Sequence, residues 1–230
     1  VNLSGGQLTV GTGVTIGVAG IATFRTGRVD VGDSLFNTSI GELAGDALTT
    51  GAQNTGVGYN ALSANTTASS NTAVGYNAMA VNTTGASNTA VGHLALDANT
   101  TGASNVAVGK NALSANTTAN YNTGVGYDAL AVNTTGAHQV AIGAFALDNN
   151  TTGGENTGLG YNTLGSNTTG DNNTAVGHRA LDANTTADNN TAVGKDTLGA
   201  NTTGAQNTAI GALALDANTT ANNNTGLGYA

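Results

Sequence analysis

We predict an all-β solenoid for this chain of 230 residues, and three features of the sequence lead to that fold class. A glycine recurs every 17 residues with no insertion or deletion, which is the signature of stacked structural repeats. Each unit is rich in Asn, Thr, Val and Gly, which disfavour helices. Aromatic residues make up only 4% of the chain, against 35 glycines and no proline, so small side chains must be buried repeatedly.

The repeat covers residues 37–230, about eleven units with the consensus N-T-A-V-G-Y-N-A-L-x-A-N-T-T-G-x-x. A branched aliphatic residue precedes the repeat glycine, a small residue precedes that, and Leu or Met follows four positions later. We predict two short strands per coil, T-A-V and A-L-x-A, with turns at the glycine and at N-T-T-G. Coils would then stack about 4.8 Å apart. The repeat glycines are Gly41, Gly58, Gly75, Gly92, Gly109, Gly126, Gly143, Gly160, Gly177, Gly194, Gly211 and Gly228.

The N-T-T motif, which begins at Asn65, Asn82 and the equivalent positions, has two interpretations. In a solenoid the same residue of successive coils stacks on itself, so Asn and Thr would form ladders of side-chain hydrogen bonds. The motif also fits the N-x-[ST] acceptor pattern of N-glycosylation. We favour the ladder, because stacking explains why the motif returns at one fixed position in ten units.

The T-A-V segment suggests self-association. Successive side chains of a strand point to opposite faces, so Ala73 and Val74 face opposite ways. Yet one of these columns is restricted to tiny residues and the other to branched aliphatics, which is typical of a strand buried on both faces. The Leu column of the same coil can cover one face. We therefore expect another copy of the chain to cover the other.

Composition excludes several classes of partner. The chain has five Lys and Arg against thirteen Asp and Glu, a formal net charge of −8, and so lacks the basic patch that nucleic acids or anionic membranes require. Residues 1–36 do not follow the 17-residue period, and their Gly/Thr-rich alternation predicts a separate β segment that caps the solenoid. That segment is too interrupted by polar residues to be a membrane-spanning helix and lacks the features of a signal peptide. We expect no insertion into a membrane.

The residue after the repeat glycine varies from coil to coil and is often aromatic or charged. We take this column as a candidate surface for recognition, against the alternative of a solvated corner with stacked rings. In the next column, Arg179 and Asp196 lie in adjacent coils and are expected to pair. The candidate residues are Tyr59, Tyr76, His93, Lys110, Tyr127, Tyr161, His178 and Lys195.

No constellation of catalytic or metal-binding residues appears in the sequence. The chain has no cysteine, and His93 and His178 are five coils apart, too far to share a metal ion. The Leu column is followed by acids that lack the spacing of calcium-binding solenoids. We therefore predict no enzymatic activity, no catalytic residue, no metal and no cofactor. These acids are Asp97, Asp148, Asp182 and Asp216.

The A-[VI]-G core, seen at 73–75 and 90–92 and spaced by N-T-T-G, resembles the YadA-like head repeats of trimeric autotransporter adhesins. That resemblance implies a left-handed parallel β-roll with three chains side by side, although the coils of that family are shorter. The 17-residue version is also similar to repeats in tail-fibre and other structural proteins of marine bacteriophages, and the opening at 17–27 is similar to segments of cyanophage virion proteins.

These resemblances imply an extracellular structural or adhesive fibre, most simply a homotrimeric part of a phage tail fibre or other virion appendage. It would contact a receptor or glycan on the host surface and other virion proteins at its ends. One alternative is the head of an adhesin on a bacterial cell surface. Another is an ice-binding solenoid, with one outward Thr column from Thr66 and Thr67. A polysaccharide-degrading solenoid would need clustered carboxylates, whereas the acids here are scattered.

Overall fold

The structure, a computed structural model, describes residues 35–229 and shows a parallel β-solenoid with one coil per 17 residues. Twelve strands of three residues form a single sheet in which each strand pairs with the next along the chain. The cap predicted for 1–36 lies almost wholly outside the described residues. The strands are β1 (Thr38–Ile40), β2 (Thr55–Val57), β3 (Thr72–Val74), β4 (Thr89–Val91), β5 (Val106–Val108), β6 (Thr123–Val125), β7 (Val140–Ile142), β8 (Thr157–Leu159), β9 (Thr174–Val176), β10 (Thr191–Val193), β11 (Thr208–Ile210) and β12 (Thr225–Leu227).

The register places each side chain on its own equivalent in the next coil. Thr72 pairs with Thr89 in a parallel arrangement, and the two residues that follow pair in the same way. The alternation of the strand turns Ala73 inward, where it is fully buried, and leaves Val74 on the outer face. The predicted solenoid and its T-A-V strand are therefore confirmed.

The prediction of a second strand at A-L-x-A is wrong. That segment is a series of turns in which Asn60 and Leu62 adopt left-handed backbone angles, with φ of 59° and 56°. The reason is burial: Ala61 and Leu62 are both fully buried, whereas neighbouring residues of a strand point to opposite faces. The segment still bonds to both neighbouring coils, because the Asn60 N–H donates to Glu42 O (3.0 Å) and the Leu62 N–H to Ala78 O (3.2 Å).

The apolar core is narrow and consists almost entirely of alanine and leucine. Each regular coil contributes one small residue from the strand and, from the turns after it, a second small residue and one Leu or Met. All of these side chains in the central coils are fully buried. A column of this kind has room for only one large side chain per coil, which explains why Leu or Met occupies the same position throughout.

Two buried columns of asparagine complete the interior. In the N-T-T column, Asn82 Nδ2 donates to Asn65 Oδ1 (3.0 Å) and to the Gly85 carbonyl (2.9 Å). In the column before each strand, the Asn88 N–H donates to Asn71 Oδ1 (2.9 Å). The predicted ladder is therefore confirmed. Asn82 is fully buried and both hydrogens of its amide are bonded, so a glycan cannot be attached at this motif in the folded chain.

One position interrupts the second asparagine ladder. Gln139 stands where the other coils have asparagine, and its extra methylene carries the amide to Asn133 Oδ1, to which Gln139 Nε2 donates at 2.9 Å. Among the described residues, Gln139 Oε1 has no hydrogen-bond partner although it is buried. A buried acceptor without a partner is costly.

Gln139→Asn is expected to restore the ladder and to raise the free energy of unfolding by about 1–3 kcal/mol, the cost of an unsatisfied buried polar group. Urea unfolding followed by far-ultraviolet circular dichroism measures the change. Asn122→Gln, which introduces the same defect into a regular coil, serves as the control and should lower the stability. A Gln139→Asn variant no more stable than the parent would contradict this account of the ladder.

Candidate functional site

The predicted recognition column lies at the corner directly after each strand, and its side chains are exposed. Because equivalent residues are one coil apart, neighbouring rings stack. The ring centroids of Tyr59 and Tyr76 are 5.3 Å apart with an interplanar angle of 14°, and His93 continues the stack at 5.3 Å from Tyr76. The structure thus brings the first three candidates into one stack.

A second group of rings lies further along the same corner. Lys110 Nζ is 5.5 Å from the ring centroid of Tyr127, a cation–π distance. Phe145 then bridges Tyr127 and Tyr161 through two edge-to-face contacts of 5.3 and 5.9 Å. His178 stacks on Tyr161 at 5.4 Å. Sequence reasoning missed Phe145 because it belongs to the next column.

The stacking limits what the corner can recognise. A ring between two stacked rings, such as Tyr76, offers only its edge to solvent, whereas a ring at the end of a stack has a neighbouring ring over one face only. The exposed groups are therefore phenol hydroxyls, imidazole nitrogens and the ammonium groups of Lys110 and Lys195, all of which form hydrogen bonds. This corner is a polar strip able to contact another surface along its length.

The predicted pair of Arg179 with Asp196 is wrong. Arg179 instead binds Asp182 of its own coil, with Nη2 at 2.6 Å and Nε at 2.7 Å from Asp182 Oδ2. This hydrogen bond raises the pKa of Arg179. Asp196 faces Lys195 at 3.3 Å and His178 at 3.8 Å. Arg179 sits at a left-handed position (φ 55°) and reaches the residue three positions on, rather than the next coil.

The acids that follow the Leu column do not gather into a site. Partial burial raises the pKa of Asp97 and of Asp148 above the ordinary value, because the charged form loses water. Within residues 35–229, no group of three His, Asp or Glu side chains is arranged to hold a metal ion. The same range contains no helix long and apolar enough to cross a membrane.

The outer face of the sheet carries an uncovered column of apolar side chains. Every strand turns its first and third residues outward, and the third is always Val, Ile or Leu. Val91 is 36% exposed, Ile142 38% and Leu159 44%. The sequence predicted burial on both faces of this strand, and a single copy of the chain buries only one.

Comparison with known proteins adds no assignment, since no family model, curated protein or solved structure matches this chain.

Proposed function

We propose that this chain is a structural and adhesive segment of an extracellular fibre, in which three copies lie side by side with their outer sheet faces turned inward. The observation that carries the proposal is the uncovered strip of Val, Ile and Leu along the sheet. The resemblance of the repeats to the YadA-like heads of trimeric autotransporter adhesins supports three copies and a left-handed coil. The homotrimer would bury the outer face of the strands, which was predicted to be buried because its column holds only branched aliphatic residues.

The dimensions of the strip suit self-association. Eleven strand spacings of about 4.8 Å give a length of about 53 Å, and three residues give a width of about 10 Å. The projected area, about 500 Å², is in the range of the largest patches on monomers, which are often functional. Its outward residues in β1–β12 are Thr, Val, Ile and Leu, so copies of an acidic chain meet there without charge repulsion.

The remaining surface supports a role in contact with a host. The corner column presents hydroxyl, imidazole and ammonium groups at intervals of one coil on a scaffold locked by two asparagine ladders. Such a strip suits repeated weak contacts to a receptor or glycan. The resemblance to bacteriophage repeats favours a virion appendage joined to other virion proteins at its ends, and the alternative is an adhesin on a bacterial cell surface.

The native mass of the full chain, measured by analytical ultracentrifugation, is expected to correspond to three copies. Introducing Val91→Glu together with Ile142→Glu on the sheet face should reduce it to one copy, because charges would be buried without partners. Val81→Glu together with Val132→Glu is the matched control, since these valines are 44% and 41% exposed but lie off the sheet face. A single-copy parent chain, or equal behaviour of both double variants, would overturn the proposal.

Ice binding is a second candidate, favoured by one observation. The second Thr of N-T-T is exposed along the solenoid, whereas the hydroxyl of the first donates to the next coil, as from Thr83 to the Thr100 carbonyl (3.0 Å). This leaves one outward column of regularly spaced hydroxyls, typified by Thr84 and Thr101. Thermal hysteresis that disappears in Thr84→Lys/Thr101→Lys would support this function, and its absence from the parent chain would exclude it.

A further inference from the structure

A cleft of about 240 Å³ opens on the side of the solenoid that follows the N-T-T turns. Most of its lining residues occupy the two positions after N-T-T-G, for which the repeat has no consensus residue. Gly154 occupies a column of varied residues, with Ala137 in the coil before it and Asp171 in the coil after it. A Cβ added to Gly154 would lie 3.2 Å from the Ala137 carbonyl oxygen, closer than ordinary contact, so the wall of the cleft is backbone at this point. The cleft thus results from residues particular to these coils.

Two carboxylates and an amide line the cleft. Asp171 Oδ1 accepts a hydrogen bond from the Gly154 N–H at 2.6 Å, which fixes the carboxylate and leaves its second oxygen for a ligand. Glu155 and Asn172 are exposed beside it, and the Thr152 side chain completes the polar rim. Acceptors that converge on one small space suit a ligand with several hydroxyl donors.

An aromatic ring closes one end of the cleft. His138 stacks on Tyr121 with ring centroids 5.0 Å apart and an interplanar angle of 21°. The next residue in this column is Glu155, so among the described residues the stack ends at His138. Tyr121 covers one face of the His138 ring, and no ring covers the other. Tyr76, in the column after the repeat glycine, has a ring over each face, whereas His138 can offer one ring face to a ligand.

We propose that this cleft binds one neutral or amino-bearing pyranose unit of a surface glycan, with the sugar against the His138 ring and its hydroxyls donating to Asp171 and Glu155. The volume is below that of pockets for drug-sized ligands and suits a single sugar. The two carboxylates disfavour sialic and uronic acids through charge repulsion. This site deepens the proposed role in host contact, on which it rests, and adds a ligand class and a place.

Saturation-transfer NMR on the full chain tests the site, with the methyl glycosides of galactose, mannose, N-acetylglucosamine and glucosamine at about 10 mM as probes, since single-sugar affinities are weak. At least one of these probes should bind, and sialic acid should not. His138→Ala and Asp171→Asn should each weaken binding about tenfold, the effect of losing one contact worth about 1.4 kcal/mol. The amide oxygen that Asp171→Asn introduces can still accept the Gly154 N–H, so the coil is preserved.

Asp188→Asn is the matched control, because Asp188 Oδ1 accepts the Asp171 N–H at 2.7 Å in the same manner but lies outside the cleft. Binding should be unchanged in this variant. Failure of all four neutral and amino probes to bind, or equal binding by the Asp171→Asn and Asp188→Asn variants, would overturn the site. The native mass of the same samples separates the two proposals: a trimer that binds no sugar removes only the cleft, and a single-copy chain that binds sugar removes only the trimer.

Discussion

Gly126→Ala is expected to lower the free energy of unfolding by about 3–5 kcal/mol, one of the largest effects of any single methyl group in this chain. Gly126 has φ of +141°, a region that side-chain-bearing residues rarely adopt. An added Cβ would also meet the carbonyl group of Gly143 in the next coil, with the carbon at 2.6 Å. Backbone atoms of both coils would have to move apart, which would break the register on which stacking depends.

Gly56→Ala is the control, because its column holds alanine in other coils, at 73, 90 and 107, and the nearest atom to an added Cβ is the Ala61 carbonyl oxygen at 3.2 Å. Its loss of stability should stay within about 1 kcal/mol. Urea unfolding by circular dichroism gives both values, and amide hydrogen exchange shows whether the loss is confined to the altered coil. Equal effects of the two substitutions would mean that the backbone angle of the repeat glycine is not what requires glycine.

Asn99→Asp should cost about 3–5 kcal/mol at neutral pH, because it places an unpaired charge in the buried ladder. Asn99 Nδ2 donates to Asn82 Oδ1 (2.8 Å) and to the Gly102 carbonyl (2.9 Å). A carboxylate would place an oxygen opposite Asn82 Oδ1 and the Gly102 carbonyl oxygen, so neither hydrogen bond could form. Desolvation would raise its folded-state pKa above the ordinary value of about 3.9. Stability would therefore fall as pH rises from that value through the raised pKa, and the variant should be closest to the parent in acid.

Asn77→Asp provides the comparison. Asn77 Oδ1 accepts from Asn60 Nδ2 at 3.1 Å, a bond that a carboxylate keeps. The chain already uses this exchange at Asp128, which accepts from Asn111 Nδ2 at 2.8 Å. The change should be within about 1 kcal/mol, with little dependence on pH. Thermal unfolding measured between pH 3 and pH 8, values that span the ordinary carboxyl pKa of about 3.9, decides the matter; a similar pH profile for both variants would contradict the ladder as the cause.

The solenoid could be predicted from the sequence because every 17-residue unit repeats the same pattern of residue types. The columns of Ala73 and Val74 predicted a strand with two restricted faces, and the structure shows that Ala73 points inward and Val74 outward. The asparagine ladder at Asn65 and Asn82 followed from repetition alone. Prediction failed where local preference was misleading: a leucine such as Leu62 rarely adopts a left-handed conformation, which costs about 1–2 kcal/mol, so the second segment read as a strand.

The candidate site was predicted in part. The residues of the corner column are exposed and lie in one line, and their role in recognition stays a prediction. Which rings stack depended on side-chain geometry, and Phe145 belongs to a neighbouring column. The cleft beside Gly154 and His138 could not be predicted, because it is lined by residues of three successive coils at positions where the repeat has no fixed residue type. The pairing of Arg179 with Asp182 rather than Asp196 likewise depended on side-chain geometry.

By itself the sequence determined the repeat length, the stacking of like residues and the alternation of the strand between two faces. These follow from a period of 17 and a strand period of two, which are properties of the chain in one dimension. Only the tertiary structure decided that A-L-x-A forms turns, which acids and bases pair, and where a cleft opens. Those outcomes depend on how neighbouring coils fill the same space, since burying both Ala61 and Leu62 outweighs the backbone preference of either residue.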